Sequence, residues 1–283
     1  MTPSWRRACP PSRRAVSRIG TSWSCPPADT FHVEPGDEQG AEPPLELIRP
    51  AVVDDVFGVE VTLADRYVHH LADTGVSHGL IGPRERPRLW ERHVLNCAAV
   101  AELIPAGSRV ADVGSGAGLP GVVLAIARPD LQVTLIEPLL RRVGWLTEVL
   151  DDLALPNVEL RRARAEQLWD EIEVDVVTSR AVARLEELAR LSLPLLRAGG
   201  TMLALKGSSA VEELSAAQSA LVQLGIRESE VVCCGGELLE HATIVTRLVL
   251  GGRAQRLGSD RTTKKKSSGR AARRHRGTQP NRR

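Results

Sequence analysis

Residues Arg109 to Pro120 read RVADVGSGAGLP, an apolar run followed by glycines at alternate positions, Gly114, Gly116 and Gly118. Glycine lacks a Cβ, so such a loop can turn tightly and let a ligand approach the main chain. Asp112 stands two residues before the first glycine, and Glu137 lies 19 residues after Gly118. An acid in the position of Glu137 can accept hydrogen bonds from ribose hydroxyls. The glycines satisfy two fingerprints. Gly114-x-Gly116-x-Gly118 suits an S-adenosylmethionine loop, and Gly116-x-Gly118-x-x-Gly121 suits a dinucleotide loop. A third reading is a loop that only turns the chain. Asp112 favours the first, because its carboxylate suits a cationic methionine group. A pyrophosphate prefers helix N–H groups with no anion nearby.

These residues need a scaffold, and the surrounding pattern supplies one. RVADV, QVTLIE, VELRRA, VDVVTS and TMLALKG read as strands, and EVVCCGG and TIVTRLVL as two more. The helices between them are PGVVLAIA, LLRRVGWLTEVLDDL, a short turn around Glu166, RLEELARLSLPLL ended at Gly199-Gly200, and VEELSAAQSALVQLG. Such alternation with continuously apolar strands predicts a parallel sheet covered on both faces. Only GELLEHA separates the last two strands. A parallel crossover needs a dozen or more residues, so this pair should be antiparallel. One antiparallel strand in an otherwise parallel seven-stranded α/β sheet resembles the class I methyltransferase (Rossmann-like) fold. Two helices are expected upstream. One has Val59, Leu63, Tyr67 and Leu71 on one face, and the other has Trp90, Val94, Cys97, Ala101 and Ile104. HGLIGPRERP breaks the chain between them.

Composition bounds the class. The chain has 283 residues with 37 Lys+Arg and 35 Asp+Glu, a net charge of +2. That balance hides an asymmetry: residues 251–283 carry +11, residues 1–50 carry zero and residues 51–250 carry −9. No apolar stretch reaches the roughly 18 residues of a membrane helix. MTPSWRRACPPSRRAV lacks the apolar core of a secretory signal, and the acids Asp29, Glu34, Asp37 and Glu38 soon after it disfavour a transit peptide. Five cysteines, odd in number and without a CxxC pair, suit a reducing cytoplasm; no metal site is expected. Three regions are predicted: residues 1–55, disordered or an upstream extension of the reading frame; residues 56–250, the folded domain with a helical part at 59–104; and residues 251–283, a basic, disordered tail suited to capturing RNA phosphates.

The end of the fourth strand narrows the chemistry. It reads VTSRAVA, without the Asn/Asp-Pro-Pro-Tyr segment of enzymes that methylate exocyclic base amines. A carbon-5 methyltransferase needs a cysteine, usually beside proline, and Cys9-Pro10 and Cys25-Pro26 both fall in the head. A ring nitrogen such as guanine N7 carries a free lone pair. Its methylation is a positioning problem and demands no general base.

The run RVADVGSGAGLPGVVLAIARPDLQVTLIEPLLRRVGWL, with RAEQL, SRAVA and LALKG after it, resembles the bacterial small-subunit (16S) ribosomal RNA guanine-N7 methyltransferases, the glucose-inhibited division protein B family. The resemblance spans roughly residues 59–250, with Gly118-Leu119-Pro120-Gly121 and Ser179-Arg180-Ala181 as its most specific marks. It implies methyl transfer from S-adenosylmethionine to N7 of a guanine near the decoding region. A cytoplasmic monomer without membrane contact is expected. The RNA partner is the small-subunit RNA or the assembling subunit. The family's cofactor contacts fall on Gly114, Ser115, Gly116, Gly118, Leu119, Glu137, Ala165, Glu166 and Arg180, to which the reading above adds Asp112. RNA contacts are expected at Arg92, His93, Arg141, Arg142 and Lys206. Arg180, Lys206 and His93 are the positioning candidates for catalysis. Two departures stand out. Arg92-His93-Val94-Leu95-Asn96-Cys97 replaces the family's Arg-His-x-x-Asp-Ser, and HGLIGP replaces an Asn-Leu-Thr segment. The competing readings are a class I methyltransferase for a small molecule or protein, and a non-catalytic RNA- or adenosylmethionine-binding module.

Overall fold

Arg109–Val113, buried and apolar on both faces but for the exposed Arg109 and for Asp112, form the central strand β1. In the computed structural model, which describes residues 47–180, 183–236 and 239–255, six further strands flank it. They are β2 (Gln132–Ile136), β3 (Val158–Arg161), β4 (Val174–Arg180), β5 (Leu196–Leu205), β6 (Ile226–Cys234) and β7 (Thr243–Leu250). Their order is β3-β2-β1-β4-β5-β7-β6. The pairs β1–β2, β1–β4, β2–β3 and β4–β5 are parallel, and β7 runs antiparallel between β5 and β6. The class I methyltransferase topology expected from the short GELLEHA link is therefore present. The chain leaves β1 toward β3 and then returns to the other side of β1 at β4. Such a reversal opens a crevice at the carboxyl ends of the strands.

Two apolar layers cover the sheet. One contains α1 (Val52–Phe57), α2 (Val61–His70), the helical run 89–103 that includes α3 (Asn96–Ala99), α4 (Gly121–Ala127) and α5 (Leu140–Leu153). The other contains α6 (Leu185–Ser192) and α7 (Ala210–Gln223). All seven residues of α4 are buried, as its all-apolar sequence GVVLAIA requires of a helix wedged between the sheet and other helices. Strand parity divides β1 between the layers: Val110 packs toward α4, and Ala111 and Val113 toward α6.

Several boundaries differ from the expectation. The helix Val52–Phe57 crosses the boundary drawn at residue 55, with Val53 fully buried. Residues 1–46 and 256–283, the bulk of the expected head and tail, lie outside the described residues. Val59 is 92% exposed rather than inward. It sits in the tighter three-residue turn Gly58–Glu60, which shifts the helical phase, and the buried stripe is Ala64, Tyr67, Val68 and Leu71. Gly199 and Gly200 do not end a helix. They lie inside β5, where the pairing with β4 jumps a register and Gly199 takes a φ of +76°. No helix among the described residues is long and apolar enough to cross a membrane.

Candidate active site

A cleft of about 670 Å³ opens at the carboxyl ends of β1, β2 and β4. Its wall includes Gly114, Ser115, Gly116, Leu119, Glu137, Ala165, Glu166, Arg180, His93 and Arg142, all expected from the sequence. The floor is the glycine loop. Gly114, Gly116 and Gly118 adopt φ values of +74°, +59° and +87°, a region that favours glycine. Ser115 locks the turn: its hydroxyl donates to Asp112 O (2.9 Å) and accepts from the Ile136 N–H (3.1 Å). The Leu119–Pro120 peptide that follows is cis.

Glu137 follows the last residue of β2, with its side chain 1% exposed. One oxygen accepts from Gly116 N–H (3.0 Å) and the other from Leu139 N–H (2.9 Å). Each carboxylate oxygen has two lone pairs, so one per oxygen remains for a ligand. Arg142 lies 3.5 Å from the same carboxylate, and its Nε is buried without a partner.

The structure moves three expected contacts off the cleft wall. Asp112 shares strand parity with Val110, so its side chain points into the α4 layer and is fully buried. There it accepts from Gly121 N–H (3.0 Å) and, more weakly, from Thr178 (3.5 Å). Burial pushes its carboxyl up to about 7. It therefore ties the loop to the start of α4 and is not part of the cleft wall. Gly118 supports the loop from behind. A Cβ there would lie 2.5 Å from Val122 Cγ2 and 3.2 Å from the Tyr67 hydroxyl. Lys206, expected to face RNA, is 8% exposed; its ammonium pairs with Glu213 (2.9 Å) and donates to Ala183 O (2.7 Å). It links the starts of α6 and α7.

Arg180 reaches from the end of β4 across to the helical run 89–103. Nη1 donates to His93 O (3.4 Å) and faces Cys97 Sγ (3.4 Å). Nη2 donates to Arg92 O (3.1 Å) and to His93 Nδ1 (3.0 Å). Its four terminal N–H groups are thus spent on one helix, which leaves Nε–H. The cysteine that replaces the family's serine supplies one of these acceptors, and burial raises its thiol to about 11. Asn96 donates to Arg92 O (3.1 Å), the carbonyl that also accepts from Arg180 Nη2. Arg92 is exposed and paired with Glu85 (3.2 Å), and Arg141 is exposed on the first turn of α5. Ala181 lies outside the described residues.

Sequence reasoning missed Leu80 and Ile81, which line the cleft from within HGLIGP, as well as Ala163 and Arg164. It also missed Glu85 and the role of Tyr67. Tyr67 was placed on an apolar stripe, but its buried hydroxyl donates to Ala117 O in the glycine loop (2.6 Å). A phenol on a buried helical face must find an acceptor, which was the available signal. Glu85 sits in a Pro- and Arg-rich turn and has no periodic signature.

The site can hold an adenosine-type ligand. It has an open glycine cradle, a carboxylate with free lone pairs at the second strand and a volume suited to a cofactor. A pyrophosphate fits less well, because the Asp112 carboxyl already occupies the Gly121 N–H at the start of α4. Thr178 and Ser179 are fully buried, and Ser179 donates to Val113 O (2.8 Å), so neither is presented as a reactive group. Among the described residues there is no cluster of three or more metal-ligating side chains.

Comparison with known proteins agrees. A family model described as rRNA small subunit methyltransferase G matches residues 60–243. The "Ribosomal RNA small subunit methyltransferase G" of Pseudarthrobacter chlorophenolicus is 58% identical over 197 residues, covering 70% of this chain and 91% of that protein. The protein of the same description from Rhodococcus jostii is 54% identical over 220 residues, covering 77% of this chain and 95% of its own. That from Streptomyces coelicolor is 51% identical over 203 residues, covering 71% and 85%.

Proposed function

Because the chain belongs to the rRNA small subunit methyltransferase G family, we propose that it transfers a methyl group from S-adenosylmethionine to N7 of a guanine in 16S ribosomal RNA, near the decoding region. The observation that carries this reading is one cleft, at the switch point of a class I methyltransferase sheet, lined by the glycine loop, Glu137, Ala165, Glu166 and Arg180. The methyl leaves the sulfonium for the N7 lone pair, yielding S-adenosylhomocysteine and a cationic 7-methylguanine. No proton is removed in that step, so neither His93 nor the carboxylates of the wall need act as a base. The glycine loop and Glu137 hold the adenosine end, and Ala165 and Glu166 border the base of the cofactor. N7 is hard to reach inside the deep, narrow major groove of an RNA helix, so the target guanine enters extruded or unpaired. Arg92 and Arg141, both exposed, contact phosphates around it. The cleft is built within one chain and the enzyme works as a monomer, in the cytoplasm where bacterial ribosomal RNA resides. The test is mass spectrometry of 16S rRNA digests from cells with and without the gene. Loss of one 7-methylguanosine is expected, and an unchanged digest would overturn the reading.

A further inference from the structure

Glu85 and His93 form a relay to Arg180 that the methyl-transfer reading does not use. His93 Nε2 lies 2.9 Å from Glu85 Oε2, and its Nδ1 lies 3.0 Å from Arg180 Nη2. A guanidinium has donors only, so Nδ1 must be the acceptor and the proton must sit on Nε2, donated to the carboxylate. We propose that Glu85 is a positioning residue for the transfer: it holds His93 in the Nε2–H tautomer, so that Nδ1 pins the Arg180 guanidinium against the helical wall of the cleft. This rests on the methyltransferase reading for its consequence and on geometry alone for its existence.

The consequence follows from what Arg180 would otherwise do. It is half-buried on the wall of a site built for S-adenosylmethionine, which carries one carboxylate, and for a nucleic acid, which carries a phosphate at every nucleotide. A loose guanidinium there can swing onto a carboxylate or phosphate and block the line of approach between nitrogen and methyl, where small misplacements cost rate. With its terminal N–H groups satisfied on the helix, it presents only Nε–H.

The charges facing the imidazole are consistent with a neutral ring. Arg180 from β4 and Arg92 from its own helix oppose protonation, and Glu85 from the 83–88 turn favours it. The Tyr67 phenol on α2 and the Cys97 thiol, both near Arg180, are protonated, since burial raises each. Burial, followed by Arg180, holds His93 below its ordinary value. Burial works to raise the Glu85 carboxyl, but the His93 hydrogen bond and Arg92 outweigh it and keep it ionised. Protonating Nδ1 would turn the acceptor into a donor facing a cation, so acid should unlatch Arg180.

The test uses the full chain with small-subunit RNA or particles, and it separates the two nitrogens. His93→Asn places an acceptor where Nδ1 stood, while His93→Gln places its amide near Nε2. We expect kcat to fall about threefold in His93→Asn and about tenfold or more in His93→Gln, with KM for S-adenosylmethionine within about twofold in both. The acid limb of the wild-type rate profile should vanish in His93→Asn and move to lower pH in Glu85→Gln, which can still accept from Nε2–H but carries no charge. Imidazole nitrogen NMR of the wild type, without RNA, should show Nδ1 bare and Nε2 protonated. A His93→Gln variant as fast as His93→Asn, an acid limb that survives in His93→Asn, or a protonated Nδ1 would each overturn the relay. A wild type with the stated tautomer that transfers no methyl to RNA would instead sink the functional reading and leave the relay standing.

Discussion

Asp112 shows how much a single residue's meaning depends on which way its side chain points. As a buried acid it gives the folded state a pH signature. Its carboxyl lies near 7 when folded and near the ordinary ~3.9 when unfolded. Between these values the native chain holds a proton that the unfolded chain has released. Its contribution to stability is therefore full below about pH 4 and is lost as pH rises through about 7. Asp112→Asn keeps an acceptor for Gly121 N–H and cannot ionise. Urea unfolding across this window should show stability falling with pH in the wild type and a flatter profile in the variant; parallel profiles would refute the assignment. Ala154 offers a second residue-level test. It is exposed at the C-terminus of α5 with φ +50°, the left-handed region where a Cβ is strained. Ala154→Gly should stabilise the protein by about 0.5–1 kcal/mol after glycine's extra chain entropy is counted, read as a rise in denaturation midpoint.

At the scale of elements, Lys206, which looked available for RNA, serves to join helices. Lys206 ties α7 to the start of α6, since Glu213 also accepts from Leu185 N–H (3.1 Å). Lys206→Met should cost about 1–3 kcal/mol in unfolding experiments, as it leaves Glu213 half-sheltered without its cation. It should not change how RNA affinity falls with salt. Arg141→Ala, on an exposed turn of α5, should lower that salt slope by about one without loss of stability. If the two variants behave the other way round, the assignment of Lys206 to the scaffold is wrong. The helical run 89–103 is a further case. It is held to the sheet by Arg180 and by Thr243, whose hydroxyl donates to Asn96 O (3.1 Å), so the wall of the cleft moves with β4 and β7.

For the whole molecule the unusual feature is charge. An acidic body of −9 over residues 51–250 would by itself repel a phosphate backbone. Residues 256–283 carry 11 Lys and Arg against the single acid Asp260. Each phosphate neutralised adds about 0.7–0.9 to the salt slope of binding. Removing residues 256–283 should therefore lower the slope by several units and weaken RNA capture at low salt, while the unfolding midpoint of the body stays unchanged. An unaltered slope, measured by titration at several salt concentrations, would remove the tail from the account of binding.

Much of this protein could be read before its tertiary structure. The alternation of apolar strands and helices implied the parallel sheet, because the pleat and the helical turn impose periods of 2 and 3.6. The short link before TIVTRLVL implied an antiparallel last strand, because a crossover cannot be made from so few residues. The glycine loop and Glu137 marked the cleft, because tight turns and ribose contacts restrict which residues can serve. The direction of each side chain was not legible. Asp112 faces α4 because of its parity in β1, and Lys206 finds Glu213 because α7 begins beside β5. Arg180 meets His93, and through it Glu85, across 87 and 95 positions of chain. Such partners are chosen by packing between distant segments, and local periodicity carries no information about them. The sequence by itself determined the fold and the loop, and its family resemblance implied the methyl donor. Only the tertiary structure decided which of its charged groups face that ligand and which hold the walls around it, since a buried charge goes wherever the packed fold supplies a partner.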